Sequence, residues 1–129
     1  MKNLMYVISC LVILITTSYS QSERWIWFAS DEIGNMYYDS ETLTGKYSGY
    51  PVLWVKTVYS KDEYHEGKKI DYRLDKIQIF CTDRTLNFLG SYYYFVYETT
   101  PDNAPSPGRM ESVIPGTIGE ALYDKICSK

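Results

Sequence analysis

The chain has 129 residues, with 13 Lys and Arg against 16 Asp and Glu for a net charge of −3, and its length suits one small domain. The acidic balance excludes nucleic acid as the main partner, because a phosphate backbone needs a basic face. Aromatic residues make up 16 % of the chain, and aromatic and β-branched side chains favour half-buried pleated surfaces, so the expected architecture is mostly β.

The N-terminus reads as a secretory signal peptide over residues 1–20, with the folded domain at 21–129. Lys2 supplies the positive start, Leu4 to Ile15 is apolar, and Ser18 and Ser20 are small residues at the minus-three and minus-one positions before Gln21. The apolar stretch is shorter than the roughly 20 residues of a spanning helix, and no later segment is apolar enough to span. Retention as an uncleaved anchor is one alternative. Acylation of Cys10 in Val7-Ile-Ser-Cys10 is another, although a lipobox should follow the apolar stretch and most of this one lies after Cys10. Removing the leader takes away Lys2 and no acid, which leaves 12 basic and 16 acidic residues, a charge of −4.

Arg24 to Ala29 reads as a first strand, and Asp31-Glu-Ile-Gly34-Asn35 supplies a turn in which Gly34-Asn35 suits positive φ. Met36 to Asp39 completes a hairpin. After a loop punctuated by Gly45 and Gly49, Pro51 marks the start of a strand at Val52 to Tyr59. Leu53, Val55 and Tyr59 point one way along it; Val52, Trp54, Lys56 and Val58 point the other. Lys61 to Lys69 is expected as a polar hairpin loop around Gly67. Ile70 to Cys81 is a long strand in which Ile77, Ile79 and Cys81 share one face and Lys76, Gln78 and Phe80 the other, with the register before Lys76 left open. Asp83-Arg84 makes a tight turn into Leu86 to Tyr97, where Gly90 marks a bulge or bend. Thr99 to Gly108 carries three prolines and reads as a surface loop, and Arg109 to Ile114 as a last strand stopped by Pro115-Gly116.

The terminal segment is a capped helix. Thr117 suits the N-cap, and Glu120, three residues on, can return a hydrogen bond to the cap N–H. Ile118, Ala121, Leu122 and Ile126 form an apolar stripe at helical spacing. About ten residues of helix are marginal alone, so packing and a covalent tie must hold it. Cys81 and Cys127 are the two cysteines left after export, and an oxidising compartment makes their disulfide the expected pairing. It closes a loop of about 46 residues, worth at most about 4 kcal/mol on the chain-entropy model. The stripe should then cover the Ile77/Ile79 face.

Order and spacing now match a known pattern. Trp25, Tyr38-Asp39, Trp54-Val55-Lys56, Cys81 with Arg84, and Ile114-Pro-Gly-Thr-Ile-Gly-Glu120 leading to Leu122 and Cys127 resemble the surface-adhesin protein E family of small exported bacterial proteins. The resemblance spans nearly all of the mature chain. It implies an α+β fold: a curved antiparallel sheet of about six strands, with one C-terminal helix packed on one face and tied by the disulfide. The family's namesake is a surface lipoprotein that binds host matrix proteins, plasminogen and haem. This chain departs from it in lacking a well-placed lipobox, and no ligand residues carry over.

Candidate chemistry is sparse. His65, the single histidine, is a candidate metal or haem ligand or general base, but it sits in a polar loop with no partner at fixed spacing. Asp71 with Asp75, or Asp39 with Glu41, are candidate carboxylate pairs for acid–base work, against a reading as solvated surface acids. Asp39 and Arg84, beside strand ends, read as turn or ion-pair residues. Two distant cysteines and one histidine do not make a four-ligand metal site, no elbow serine or phosphate loop is present, and no cofactor is expected. Tyr92-Tyr93-Tyr94 with Tyr97 is the richer cluster. Tyr92 and Tyr94 face opposite Tyr93 and Phe95, so one pair lies away from the helix. Tyr92 and Tyr94 are the candidate ligand-binding residues, against packing as cross-strand pairs. The expected protein is non-enzymatic: a periplasmic or cell-surface binding protein, an adhesin for a protein or glycan ligand, or else a soluble periplasmic structural or assembly factor.

Overall fold

The computed structural model describes residues 23–106, 108 and 110–128. The leader with its cleavage site, Cys10, Pro107 and Arg109 lie outside the described residues. Eight strands and one helix run in the order β1 (Trp25–Ser30), β2 (Gly34–Asp39), β3 (Val52–Tyr59), β4 (Tyr64–His65), β5 (Lys68–Phe80), β6 (Thr85–Phe95), β7 (Asp102–Asn103), β8 (Met110–Ser112) and α1 (Ile118–Cys127). Six strands form one antiparallel path, β1-β2-β3-β5-β6-β7; β4 pairs with β5, and β8 joins β6. The sheet stays open, with β1 at one edge and the short β7 and β8 along the other.

Three extra residues bend it. Phe28 bulges from β1, Asp71 from β5 and Leu89 from β6, each standing between two paired neighbours. Before Lys76 the alternation continues unbroken, with Tyr72, Leu74 and Lys76 in one row, and the Asp71 bulge ahead of them returns Ile70 to the buried face. The bulge expected at Gly90 falls on its neighbour Leu89.

The turn before β2 differs from expectation. Gly34 does not take positive φ; it is a strand residue paired with Tyr59. The turn is made by Asp31, whose carboxylate accepts from the N–H groups of Ile33 and Gly34. A glycine is needed at 34 for another reason: a Cβ there would lie 2.0 Å from the Val58 carbonyl oxygen on β3. Two expected loops also carry short strands. Glu66 and Gly67 at positive φ close a tight β4–β5 hairpin, and β7 pairs with Tyr92 and Tyr93.

The helix covers the predicted face. Leu53, Val55, Ile77, Ile79, Leu86 and Val113 pack with Leu122 and Ile126 into one buried cluster, in which Ile79 is 0 % and Leu122 2 % exposed. Thr117 caps the helix by accepting from the Glu120 N–H at 3.3 Å. The return bond from Glu120 goes one residue further back than expected, to the Gly116 N–H at 3.2 Å. Cys81 and Cys127 are bonded, with Cα atoms 5.6 Å apart. Beside them the Tyr123 hydroxyl donates to the Cys81 carbonyl at 2.6 Å. Arg84, at φ 52°, lies 4.5 Å over the Tyr123 ring and 3.6 Å from Glu120. It is therefore a helix-to-sheet tie.

Two outcomes are expected. Replacing both Cys81 and Cys127 by Ala lowers unfolding stability by about 2–4 kcal/mol, read from urea midpoints. Gly34→Ala costs about 3 kcal/mol, at the upper end of overpacking because the obstacle is backbone rather than a flexible side chain.

Candidate functional site

Strand alternation sorts the side chains onto two faces. On the face away from α1, β3 presents Trp54 and Lys56, β5 presents Tyr72, Leu74, Lys76 and Gln78, and β6 presents Tyr92 and Tyr94. Trp25 joins them from β1. No helix covers this face among the described residues, yet its rings are half-buried rather than exposed, because they cover one another.

They do so in two rows across the strands. In the first, Lys56 Nζ lies 5.5 Å from the Trp25 ring centre and 4.3 Å from that of Tyr72. Tyr72 in turn stacks on its cross-strand partner Tyr94 at 4.8 Å and 12°. In the second, Lys76 Nζ lies 5.8 Å from the Trp54 ring, and Trp54 meets Tyr92 at 6.0 Å. Trp54 and Tyr92 stand on strands separated by β5, a gap of about 10 Å that only large rings can bridge. Gly90 makes the bridge available: a Cβ there would press the Tyr92 ring at 3.3 Å, so the bare backbone leaves room for Tyr92 to lie down over it. Burial pushes the Tyr72 phenol up, with Tyr94 and Asp71 adding to it, so Tyr72 remains a hydrogen-bond donor. Neither Lys56 nor Lys76 forms a salt bridge among the described residues.

The candidate carboxylates have structural partners. Asp39 is 0 % exposed and accepts from Arg24 Nε and Nη2 at 3.0 and 2.8 Å and from the Glu41 N–H at 3.0 Å. Burial alone would raise its carboxyl; the Arg24 and Glu41 hydrogen bonds and the Arg24 charge outweigh that and hold it below the usual carboxylate range. Glu41 stands 3.7 Å from the same guanidinium, so this pair clamps an arginine and leaves no site for a proton relay. Asp71 is exposed at its bulge. Asp75 is buried on the helix-side face, where it takes hydrogen bonds from Arg73 and Ser91. Arg73 also donates to the Pro105 carbonyl at 2.7 Å, so this network pins the 99–108 loop to the sheet.

The fold gives His65 what the sequence could not, a neighbour. Its Nε2 lies 3.7 Å from Asp102 on β7, and its ring packs 4.9 Å from that of Tyr93. With Glu66 these residues place ligand atoms within 4.8 Å of one another, and they are the group among the described residues that could hold a metal ion. Lys68 stands beside them, its ammonium favoured first by Glu98 and further by Asp102 and Glu66. It already supplies the cluster with a cation. An apolar groove of about 900 Å³ opens on the helix-side face, between the N-terminus of α1 and Trp27, Met36, Ile77 and Phe88.

Of the predicted site residues, Tyr92 and Tyr94 lie on the open face. Tyr97 stands apart at the end of β6, and Tyr93 faces His65 on the other side. Trp25, Trp54, Lys56, Tyr72 and Lys76 complete the platform and were not predicted as site residues. For Trp54 and Lys56 the signal was present in the alternation of β3. For Tyr72 the sequence leaves the register open, although the alternation of β5 runs unbroken from Phe80 back to it.

Because Asp39 is held below its unfolded value, its contribution is present above that value, near pH 4, and is lost as the pH falls through the folded value. Urea midpoints measured from about pH 5 down to about pH 2 are expected to fall more steeply for the wild type than for Asp39→Asn.

Solved structures of Haemophilus influenzae protein E share this fold. Crystal form II matches with a TM-score of 0.64 at 15 % identity, covering 82 % of this chain and 88 % of that one. Protein E from non-typeable Haemophilus influenzae matches with a TM-score of 0.64 at 15 % identity, covering 82 % and 76 %. A further Haemophilus influenzae protein E structure matches at 0.63 and 16 %, covering 82 % and 85 %. Comparison with curated proteins finds no match. Residues 25–128 match the family described as Surface-adhesin protein E, a span that takes in every strand, the helix and both bonded cysteines, and the chain belongs to that family.

Proposed function

We propose that this protein is an exported, non-enzymatic binding protein of the bacterial cell envelope, working as an adhesin, and that the open face of the sheet receives its macromolecular ligand. The observation that carries this reading is the platform itself: Trp25, Trp54, Tyr72, Tyr92 and Tyr94 interleaved with Lys56 and Lys76 on a face that no helix covers among the described residues. Rings of this kind offer large contact area at low entropic cost, and their tyrosine hydroxyls offer polar handles. Membership of the surface-adhesin family supports the same reading, as does the leader expected over residues 1–20. The candidate acids support it by their pairing, since Asp39 and Asp75 are each committed to an arginine.

A second reading, a soluble periplasmic factor, is favoured by the position of Cys10 within the apolar stretch rather than after it. Protease treatment of intact cells separates the two. The adhesin reading expects cleavage on intact cells; protection until the outer envelope is opened supports the periplasmic factor. The intact mass of the recovered protein is expected to begin at Gln21 and to be two daltons light for the Cys81–Cys127 bond.

A further inference from the structure

We propose that the ligand of the open face is an acidic glycan, a carboxylated or sulfated sugar chain that lies across the strands. This deepens the binding reading above and rests on it.

Charge on the face points to an anion. The mature chain carries −4, yet the two charged side chains in the middle of the platform are both lysines, and aromatic rings rather than carboxylates surround them. The nearby acids are engaged or stand apart: Asp39, the cross-strand partner of Trp25, is held with Glu41 by Arg24, and Asp71 stands at its bulge. Asp75, on the same strand as Lys76, points to the opposite face and is consumed by Arg73. An ammonium over a ring face keeps its other N–H donors free, and a carboxylate or sulfate accepting from them makes a charge-assisted hydrogen bond.

The shape of the platform points to sugar. The partly positive C–H groups of a pyranose face complement the negative ring faces of Trp54, Tyr92 and Tyr94, while Tyr72 is taken on either side by Lys56 and Tyr94. The first row runs from Trp25 on β1 to Tyr94 on β6, four strand spacings or roughly 19 Å, which gives an oligosaccharide room to lie across the strands. Lys56 and Lys76 stand one strand apart and two residues out of register, so their Cα atoms are about 8 Å apart, and a chain with repeating acidic units can meet both. The platform is broad and shallow, whereas the grooves at the α1 N-terminus, beside Tyr64 and Phe95, and beside the disulfide all lie off this face. A protein partner anchored by one protruding hot-spot side chain would need such a pocket. Aromatic and cationic faces also bind single-stranded nucleic acid, but those sites track a continuous phosphate backbone with many cations, and this face has two lysines beside Arg24, which Asp39 and Glu41 hold.

The test is tryptophan fluorescence titration of the mature, oxidised chain with four ligands: hyaluronan oligosaccharide, chondroitin sulfate oligosaccharide, a neutral chitin oligosaccharide and oligothymidylate. The acidic glycans are expected to bind more tightly than the neutral one, with affinity falling as salt rises. Lys56→Gln and Lys76→Gln should each weaken the acidic glycans by about tenfold while leaving the neutral one unchanged, and the arginine variants should restore binding. Near-UV circular dichroism of each variant shows that the platform remains packed. A further arm with polysaccharide extracted from the producing cells separates a host glycan from the cell's own. Equal binding of the neutral sugar, indifference to the lysine substitutions, or tighter binding of oligothymidylate would overturn the assignment. If no acidic glycan binds but Lys56→Gln or Lys76→Gln still reduces adhesion of intact cells, the glycan falls and the binding reading stands. If neither effect is seen, both fall.

Discussion

Docking of α1 against one half of one sheet face is the constraint on which the rest of the molecule depends. Ten residues of helix are too few to persist in water. They persist here because Leu122 and Ile126 complete a cluster with Ile77 and Ile79, and because Cys127 is bonded to Cys81, the residue that follows the strand carrying those isoleucines. Tyr123 and Arg84 add a hydrogen bond and a cation–ring contact at the same corner. A domain of about a hundred residues with a single layer of sheet has little other core to draw on. The main buried cluster is organised around the line from Leu53 through Ile79 to Leu122.

One short helix can shield only one side of a sheet. The remaining part of its own face is closed by other means: the Arg73–Asp75–Ser91 network, the Pro105 carbonyl and the 99–108 loop. Among the described residues the opposite face has no such cover. Its apolar surface is shielded by the side chains themselves, which lie down on one another in ring–ring and ammonium–ring contacts. The lysine stems cover ring surface while the charged ends stay wet. Packing and recognition are thus not competing explanations for Tyr92 and Tyr94. Stacking each ring on a neighbour fixes its orientation, and a ring so fixed loses little freedom when a ligand arrives.

Small backbone features shape the sheet that carries that surface. Gly34 lets the start of β2 approach the end of β3 closely. Gly90 gives Tyr92 the space to cross toward Trp54, and the bulge at Leu89 beside it shifts the pairing of β6 with β5. The bulge at Asp71 turns Ile70 back to the buried, helix-side face. The solved relatives share the fold at an identity too low to carry side-chain chemistry across, so the platform has to be argued from this chain's own residues.

Much of the architecture was legible in the chain itself. Period-two alternation in Val52 to Tyr59 and in Lys76 to Cys81 placed the buried residues correctly, because a strand with one covered face has no freedom to alternate otherwise. The capped helix and the single disulfide pairing followed from Thr117, Glu120 and the two cysteines beyond the expected leader. Three kinds of feature were not legible. Gly34 was mistaken for a turn residue, since a close approach between strands leaves no local mark. The short strands β4 and β7 pair only because their neighbours are already in place. The grouping of Trp25, Lys56, Tyr72, Tyr94, Lys76, Trp54 and Tyr92, and the meeting of His65 with Asp102, bring together residues on different strands. Alternation tells which face a residue is on, but only strand order, register and bulges tell which residues become neighbours there, and those are set by the energy of the assembled sheet.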